Sequence, residues 1–219
     1  MKKIKIATVF NAAIFIMAVL GTVFTLFEVK MTGADNTTFG ISAFKFFTVQ
    51  SNVIMGVMSG VFTVYGILLL TKKISEIPKV LYELKLIFTV GVVLTFLTVV
   101  CYLAPIVDTG FFSLFTNANL FFHFLIPVCS AVVFLFFENR NDIPFYVTFI
   151  GLSHMFLYSV FYLTVVFTHM EGGVVPIEYD WYAFFAKGIW TGVIVCILIL
   201  AVTYLISFLL WLINRKLSK

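Results

Sequence analysis

Two residues of this sequence, Thr48 and His123, have the side chains that acyl-transfer chemistry needs. A hydroxyl is a poor nucleophile at neutral pH, but a neutral imidazole at hydrogen-bond distance can accept its proton and later return it to the leaving group. That is the chemistry of ester hydrolysis. The developing oxyanion needs hydrogen-bond donors, and the candidate substrate-binding or oxyanion residues are Lys45, Ser51, Asn52 and Asn119.

The composition indicates that these residues lie in a membrane. Of the 219 residues, 62% are hydrophobic and 11% are charged, whereas a soluble domain has about 25% charged residues. Apolar stretches of about 20 residues, long enough to cross a bilayer, recur along the chain. The sequence therefore predicts an all-α integral membrane protein, a bundle of six transmembrane helices in a single domain, with no room for a separate catalytic domain.

The six predicted spans cover residues of about 6–27, 46–70, 82–104, 117–137, 144–168 and 183–213. The first apolar run follows three lysines, as a signal peptide would, but it is longer than the apolar region of a signal. We therefore expect it to be retained as helix one.

The net charge of +4 could suggest a nucleic-acid partner, but no basic patch with interleaved aromatic residues is present. The basic residues lie instead between the apolar runs, where they orient membrane helices. By the positive-inside rule we expect both termini to lie in the cytoplasm. We also expect the protein to reside in the cell membrane and to have no nucleic-acid partner. Eleven of the fourteen basic residues fall on the terminal side: Lys2, Lys3, Lys5, Lys72, Lys73, Lys79, Lys85, Arg140, Arg215, Lys216 and Lys219.

Helix two has the densest polar cluster of any span. At 100° per residue its polar and small side chains fall within one arc of about 140°, which we expect to face the bundle interior. Gly56 and Gly60 have the spacing that lets a neighbouring helix approach closely. The polar half serves either a functional site or helix packing through hydroxyl–backbone bonds. The arc contains Lys45, Thr48, Ser51, Asn52, Met55, Gly56 and Ser59.

Depth in the membrane favours His123 over His154 as the partner of Thr48. Counted from the predicted outer helix ends, Thr48 lies roughly 4 Å deep, His123 roughly 9 Å and His154 near 21 Å. Pro127 predicts a kink at His123, which opens space around the imidazole. The alternative is that His123 has only a structural role, with its imidazole hydrogen-bonded to Asn119 or to the backbone carbonyl that Pro127 leaves without a helical donor. Without a carboxylate or thiolate cluster nearby, we expect no metal and no other cofactor.

The run Lys45-Phe46-Phe47-Thr48 at the start of helix two, with His123 in helix four of a six-span chain, resembles the androgen-induced and androgen-dependent TFPI-regulating proteins. Those proteins are threonine hydrolases of fatty acid esters of hydroxy fatty acids. The run from Phe47 to Asn52 also looks like the signature of bacterial six-span relatives. The resemblance implies that Thr48 is the nucleophile and His123 its base.

This sequence departs from the family at two places. Ser51 and Asn52 follow Thr48 where a single Asp or Asn is expected, and Val175 replaces the aromatic residue before Pro176. The identity of the substrate therefore does not transfer. A lipid ester is reasonable because a site about 4 to 9 Å deep matches the level of an acyl ester group.

The sequence thus favours an intramembrane hydrolase of lipid esters, with a membrane lipid or lipid ester as its partner in the bilayer. The alternative is a non-catalytic transport or lipid-binding protein with a polar cavity between helices two and four. Only helix four is clearly interrupted by a proline, which argues mildly against transport. A purely structural subunit is a third possibility, and the oligomeric state is left open.

Overall fold

The computed structural model describes residues 1–31, 38–108 and 110–218, and within them the chain forms six helices long and apolar enough to cross a membrane. No strand is present in these ranges. The protein is an all-α bundle of six membrane-spanning helices, as the sequence predicted. The helices are α1 (Lys2–Leu26), α2 (Phe47–Leu70), α3 (Lys79–Leu103), α4 (Leu120–Phe137), α5 (Val147–Thr168) and α6 (Ile189–Leu217).

Successive helices run in opposite directions, so both termini lie at one end of the bundle. We call this end the terminal face and the other end the far face. Short 3₁₀ helices precede α2 and α4 at the far face, Ile41–Lys45 and Phe111–Phe115. Helix α4 is π-helical at both ends, over Leu120–Leu125 and Val133–Phe137. Helix α5 is interrupted by a turn at Gly151 and Leu152.

Most helix ends fall within three residues of the expected spans, but α6 begins at Ile189 rather than near residue 183. The chain turns before it, with positive φ at Ala183 (55°) and Gly188 (105°). Phe185 folds back so closely on Gly192 that a Cβ there would meet its ring at 2.4 Å. The segment is apolar because it packs on the bundle, and hydropathy alone therefore extends the span into it.

Most of the predicted interior stripe of α2 is buried, although Lys45 and Thr48 at its upper end are half-buried, and its glycines admit α1. Ser51, Asn52, Met55 and Ser59 have no solvent exposure. A Cβ at Gly56 would lie 2.3 Å from the Cβ of Ala18. The close approach of α1 and α2 thus depends on glycine at this position.

Substituting Gly56 by alanine is expected to force α1 away from α2 and to lower the free energy of unfolding by about 1–3 kcal/mol, the usual cost of overpacking. The measurement is thermal unfolding in detergent. Gly60→Ala is the matched control because its Cβ would meet only the Phe15 ring, at 3.1 Å, and that side chain can rotate away. Equal stability of the two variants would contradict the packing assignment.

Helix α3 is the most enclosed of the six, with half of its apolar window buried. It packs against α2, α4, α5 and α6. The outward faces of the other helices present large apolar side chains, which is the surface that a bilayer covers. Polar side chains on α3 or facing it are therefore shielded from water and from lipid.

Candidate functional site

Thr48 lies in the first turn of α2, at the far face. The preceding N-cap residue, Phe46, supplies no side-chain cap, so the first backbone N–H groups of α2 must find partners elsewhere. The Phe47 N–H donates to the Tyr182 hydroxyl at 2.9 Å, and the Gln50 N–H to the Phe46 carbonyl at 3.3 Å. The N–H groups of Thr48 and Val49 have no acceptor among the described residues.

Asn52 joins this turn of α2 to α4. Its side-chain nitrogen donates to the Thr48 carbonyl at 2.8 Å and to the Phe122 carbonyl at 3.0 Å. Asn52 is fully buried, so a lost bond would leave a carbonyl without water to replace it. The two bonds hold the backbone of Thr48 beside the residue that precedes His123.

The 3₁₀ helix at the start of the α4 segment orients His123. The imidazole Nδ1 lies 2.8 Å from the Leu114 carbonyl oxygen. Because a carbonyl can only accept, Nδ1 carries the proton, and Nε2 of the neutral ring keeps its lone pair. The group that orients the histidine is thus the backbone carbonyl of Leu114, whereas the sequence analysis named Asn119 or the carbonyl freed by Pro127 as its possible partners.

The structure has a π-helical turn in α4 where Pro127 predicted a kink. Residues Leu120–Leu125 form the π-helical turn that carries His123, and regular α-helix resumes at Ile126. Proline cannot donate the bond of a regular helix, and π-turns inside α-helices often occur at functional sites.

The two predicted catalytic side chains are not hydrogen-bonded to each other. Among the described residues, the Thr48 hydroxyl has no hydrogen-bond partner, and the one bond of His123 is to Leu114. Catalytic hydrogen bonds are often long before substrate binds. The structure brings the backbones of the two segments together and leaves the hydroxyl and Nε2 unengaged.

Two of the predicted oxyanion residues have other partners in this structure. Both N–H groups of Asn52 are used by carbonyls. The hydroxyl of the fully buried Ser51 lies 3.1 Å from the Thr48 carbonyl and 3.3 Å from the Thr95 hydroxyl. Asn119, nearly buried, sits where the π-turn of α4 begins. The N–H groups of Thr48 and Val49, which have no acceptor among the described residues, are further candidate donors, and sequence reasoning missed them.

Lys45 belongs to an aromatic cover over the start of α2. Its ammonium lies 5.3 Å from the centre of the Trp181 ring, and its carbonyl accepts from the Tyr158 hydroxyl at 2.7 Å. The Tyr158 and Tyr182 hydroxyls are 3.1 Å apart. Burial raises the pKa of Tyr182, so its hydroxyl stays neutral at pH 7. This cover fixes the first turn of α2 through the bond from the Phe47 N–H to the Tyr182 hydroxyl.

His154 lies beside the first turns of α2, and the prediction that it is too deep to do so was wrong. Its ring centre is 4.9 Å from that of Phe47. The depth estimate assumed level helix ends, but Tyr158 bonds to Lys45 just before α2 begins. Helix α5 continues about ten residues beyond this level, to Thr168, which is about 15 Å of helix. His154 is one turn below Tyr158.

A second polar cluster lies in the terminal half of the bundle, centred on Lys85 of α3. Lys85 was counted among the basic residues of the cytoplasmic side, but its side chain is fully buried. Its ammonium donates to Asn11 at 2.5 Å and to Ser59 at 3.1 Å. It lies 3.9 Å from a carboxylate oxygen of Glu138, whose other oxygen accepts from Asn11 at 2.5 Å. Four different helix segments thus meet at one buried ion pair.

This buried ion pair is the functional lead that sequence reasoning missed. Ionisable residues inside membrane spans are costly and commonly serve function. Lys85 follows Lys79 by about two helical turns, and the sequence analysis therefore counted it among the basic residues that flank a span. The usable signal was its position within the predicted third span, with Glu138 at the end of the fourth.

In the parts of the chain that the structure describes, no three His, Cys, Asp or Glu side chains converge as they would around a metal ion. The site therefore consists of an unengaged hydroxyl, an oriented imidazole and two free helix N–H groups. No protein-family model, curated protein or solved structure matches this chain.

Proposed function

We propose that this protein is an intramembrane hydrolase of lipid esters, with Thr48 as nucleophile and His123 as general base. The observation that supports the proposal best is the Asn52 amide, which donates to the carbonyls of both Thr48 and Phe122. This bridge holds the backbone of Thr48 beside the residue that precedes His123. The resemblance to the threonine hydrolases named above assigns the same two residues.

The proposed reaction follows from the state of each group. Nε2 of His123 accepts the Thr48 hydroxyl proton as Oγ1 attacks the ester carbonyl. The N–H groups of Thr48 and Val49, at the positive end of the α2 dipole, donate to the oxyanion. The ester C–O bond then breaks, the alcohol leaves with the proton from His123, and the acyl group remains on Thr48. Water, deprotonated by His123, releases the fatty acid and restores both side chains.

The substrate class follows from the surroundings of the site. Apolar side chains cover the outward faces of the bundle, so a substrate approaches most readily through the bilayer. We place the terminal face in the cytoplasm of a cell-membrane protein, because most basic residues lie there. The site then lies just below the outer surface, where the ester of a lipid with buried tails is found.

A fluorophosphonate probe tests the nucleophile directly. We expect the purified protein to be labelled and Thr48→Ala to lose labelling. Thr63→Ala is the matched control, because this threonine of α2 bonds only to its own helix, at the Ser59 carbonyl. Labelling of Thr48→Ala at the wild-type level would eliminate the assignment.

A non-catalytic transporter is the second candidate, and the buried pair of Lys85 and Glu138 favours it. Lys85 is fully buried and Glu138 is 5% exposed. Ion pairs inside membrane spans are common in transport pathways. Solute flux into proteoliposomes that persists in Thr48→Ala and stops in Glu138→Gln would support this function over hydrolysis.

A further inference from the structure

A cavity of about 300 Å³ opens between α2 and α5, on a different side of α2 from the site described above. Its volume is at the lower end of the range for sites that bind small organic ligands. Gln50 is two residues after Thr48 and therefore about 200° away around the helix. The cavity is lined by Gln50, Ile54, His154, Leu157, Tyr158 and Phe161.

Among the side chains that line the cavity, His154 is the one whose polar atoms, the two ring nitrogens, both lack a hydrogen-bond partner. Both ring nitrogens are buried and have no hydrogen-bond partner among the described residues. The ring touches mainly carbon: Phe47 lies 4.9 Å away between ring centres and Phe88 6.0 Å. A buried polar group without a partner is costly, so a ligand group that hydrogen-bonds to this imidazole gains binding energy.

The other polar side chains of the cavity cannot fill this need. The Tyr158 hydroxyl donates to the Lys45 carbonyl, and the Gln50 amide nitrogen donates to the Phe44 carbonyl. Nδ1 of His154 lies close to Gly91, where a Cβ would stand 3.1 Å away. Glycine at this position leaves room for the ring but offers it no side-chain partner.

The lining and its surroundings indicate what kind of molecule enters. Leu157 is 66% exposed and Phe161 46% exposed, on the surface that a bilayer would cover. A ligand therefore arrives from the hydrocarbon region. No lysine, arginine, aspartate or glutamate lines the cavity, so a phosphate group would have no cation to pair with.

We propose that this cavity binds a lipid with one long alkyl or acyl chain, whose hydroxyl or protonated carboxyl group hydrogen-bonds to His154. A neutral imidazole has one donor and one acceptor nitrogen, and either ligand group can match one of them. The chain lies against Ile54, Leu157 and Phe161. This binding site is separate from the proposed hydrolase site and does not depend on its activity.

Photo-crosslinking of the full-length protein in phosphatidylcholine nanodiscs tests the proposal. The probes are three 16-carbon chains with a diazirine and an alkyne: an alcohol, a carboxylic acid and an alkane. We expect saturable labelling of α2 or α5 by the alcohol or the acid, but not by the alkane. The preferred probe identifies the ligand as a hydroxyl lipid or a fatty acid.

His154→Phe is expected to reduce the saturable labelling about ten-fold, the effect of losing one good hydrogen bond, and His154→Gln to retain most of it. His169→Phe is the matched control, because His169 lies outside the cavity and stacks on Tyr179 with 3.7 Å between the ring centres. Thr48→Ala should bind the probe as wild type does, which separates this site from catalysis.

Leu157→Trp provides an independent variant, because it fills the cavity and leaves His154 unchanged. It should also abolish saturable labelling, and it decides the matter if His154→Phe does not fold. Equal labelling by the alkane, or wild-type labelling of both the His154→Phe and Leu157→Trp proteins, would overturn the proposal.

Discussion

Lys85→Met is expected to lower the free energy of unfolding by about 3–5 kcal/mol, the usual cost of removing one partner of a buried ion pair. The substitution keeps the length of the side chain and removes its charge. It leaves the Glu138 carboxylate buried, with Asn11 as its remaining hydrogen-bond partner. It also removes the hydrogen bonds that the ammonium donates to Asn11 and Ser59. The measurement is thermal or denaturant-induced unfolding in detergent.

The double variant Lys85→Met, Glu138→Met separates the pair from the packing around it. Replacing both members of a buried ion pair with apolar side chains is often neutral or stabilising by about 1–4 kcal/mol. We therefore expect the double variant to recover most of the stability lost in the single one. Lys79→Met, at the exposed start of the same helix, controls for the loss of a lysine. If Lys85→Met is as stable as wild type, the ion pair does not hold these helices together.

His123→Ala is expected to reduce ester hydrolysis by about 10²- to 10⁴-fold, the usual contribution of a positioned general base. The histidine must be neutral to accept the proton of Thr48. The wild-type rate should therefore be full at alkaline pH and fall as the pH drops through the pKa of this histidine. A nitrophenyl ester of a long fatty acid provides the rate measurement.

A control variant makes the assignment of the base specific. His169→Ala removes an exposed histidine that bonds to the Val165 carbonyl at 2.8 Å, and it should leave the rate and its pH profile unchanged. A pH-independent rate in the wild-type protein, or a His123→Ala variant with full activity, would remove His123 from the mechanism.

The six helices were predictable because length and hydropathy determine them almost alone. A run of about 20 apolar residues has few other stable states in a bilayer. Helix ends depend on local contacts instead. Phe185 lies against Gly192, and the chain before α6 is therefore apolar without being helical.

The site was less predictable because much of it is backbone. The Leu114 carbonyl that orients His123 and the free N–H groups of Thr48 and Val49 have no residue-type signature. The sequence also did not indicate how the helices are shifted relative to one another along the bundle axis. Helix α5 extends beyond the start of α2, which brings His154 beside Phe47. Side-chain pairing can be inferred from sequence only where the helix ends are level.

The contact between Asn11 and Glu138 joins residues 127 positions apart, which has a consequence for biosynthesis. A ribosome adds about 5–20 residues per second, so Lys85 is made about 3–10 s before Glu138. During that interval its ammonium enters the bilayer with Asn11 and Ser59 as the partners already synthesised. Until Glu138 is synthesised, Asn11 and Ser59 are therefore the neutral hydrogen-bond acceptors available to the Lys85 ammonium.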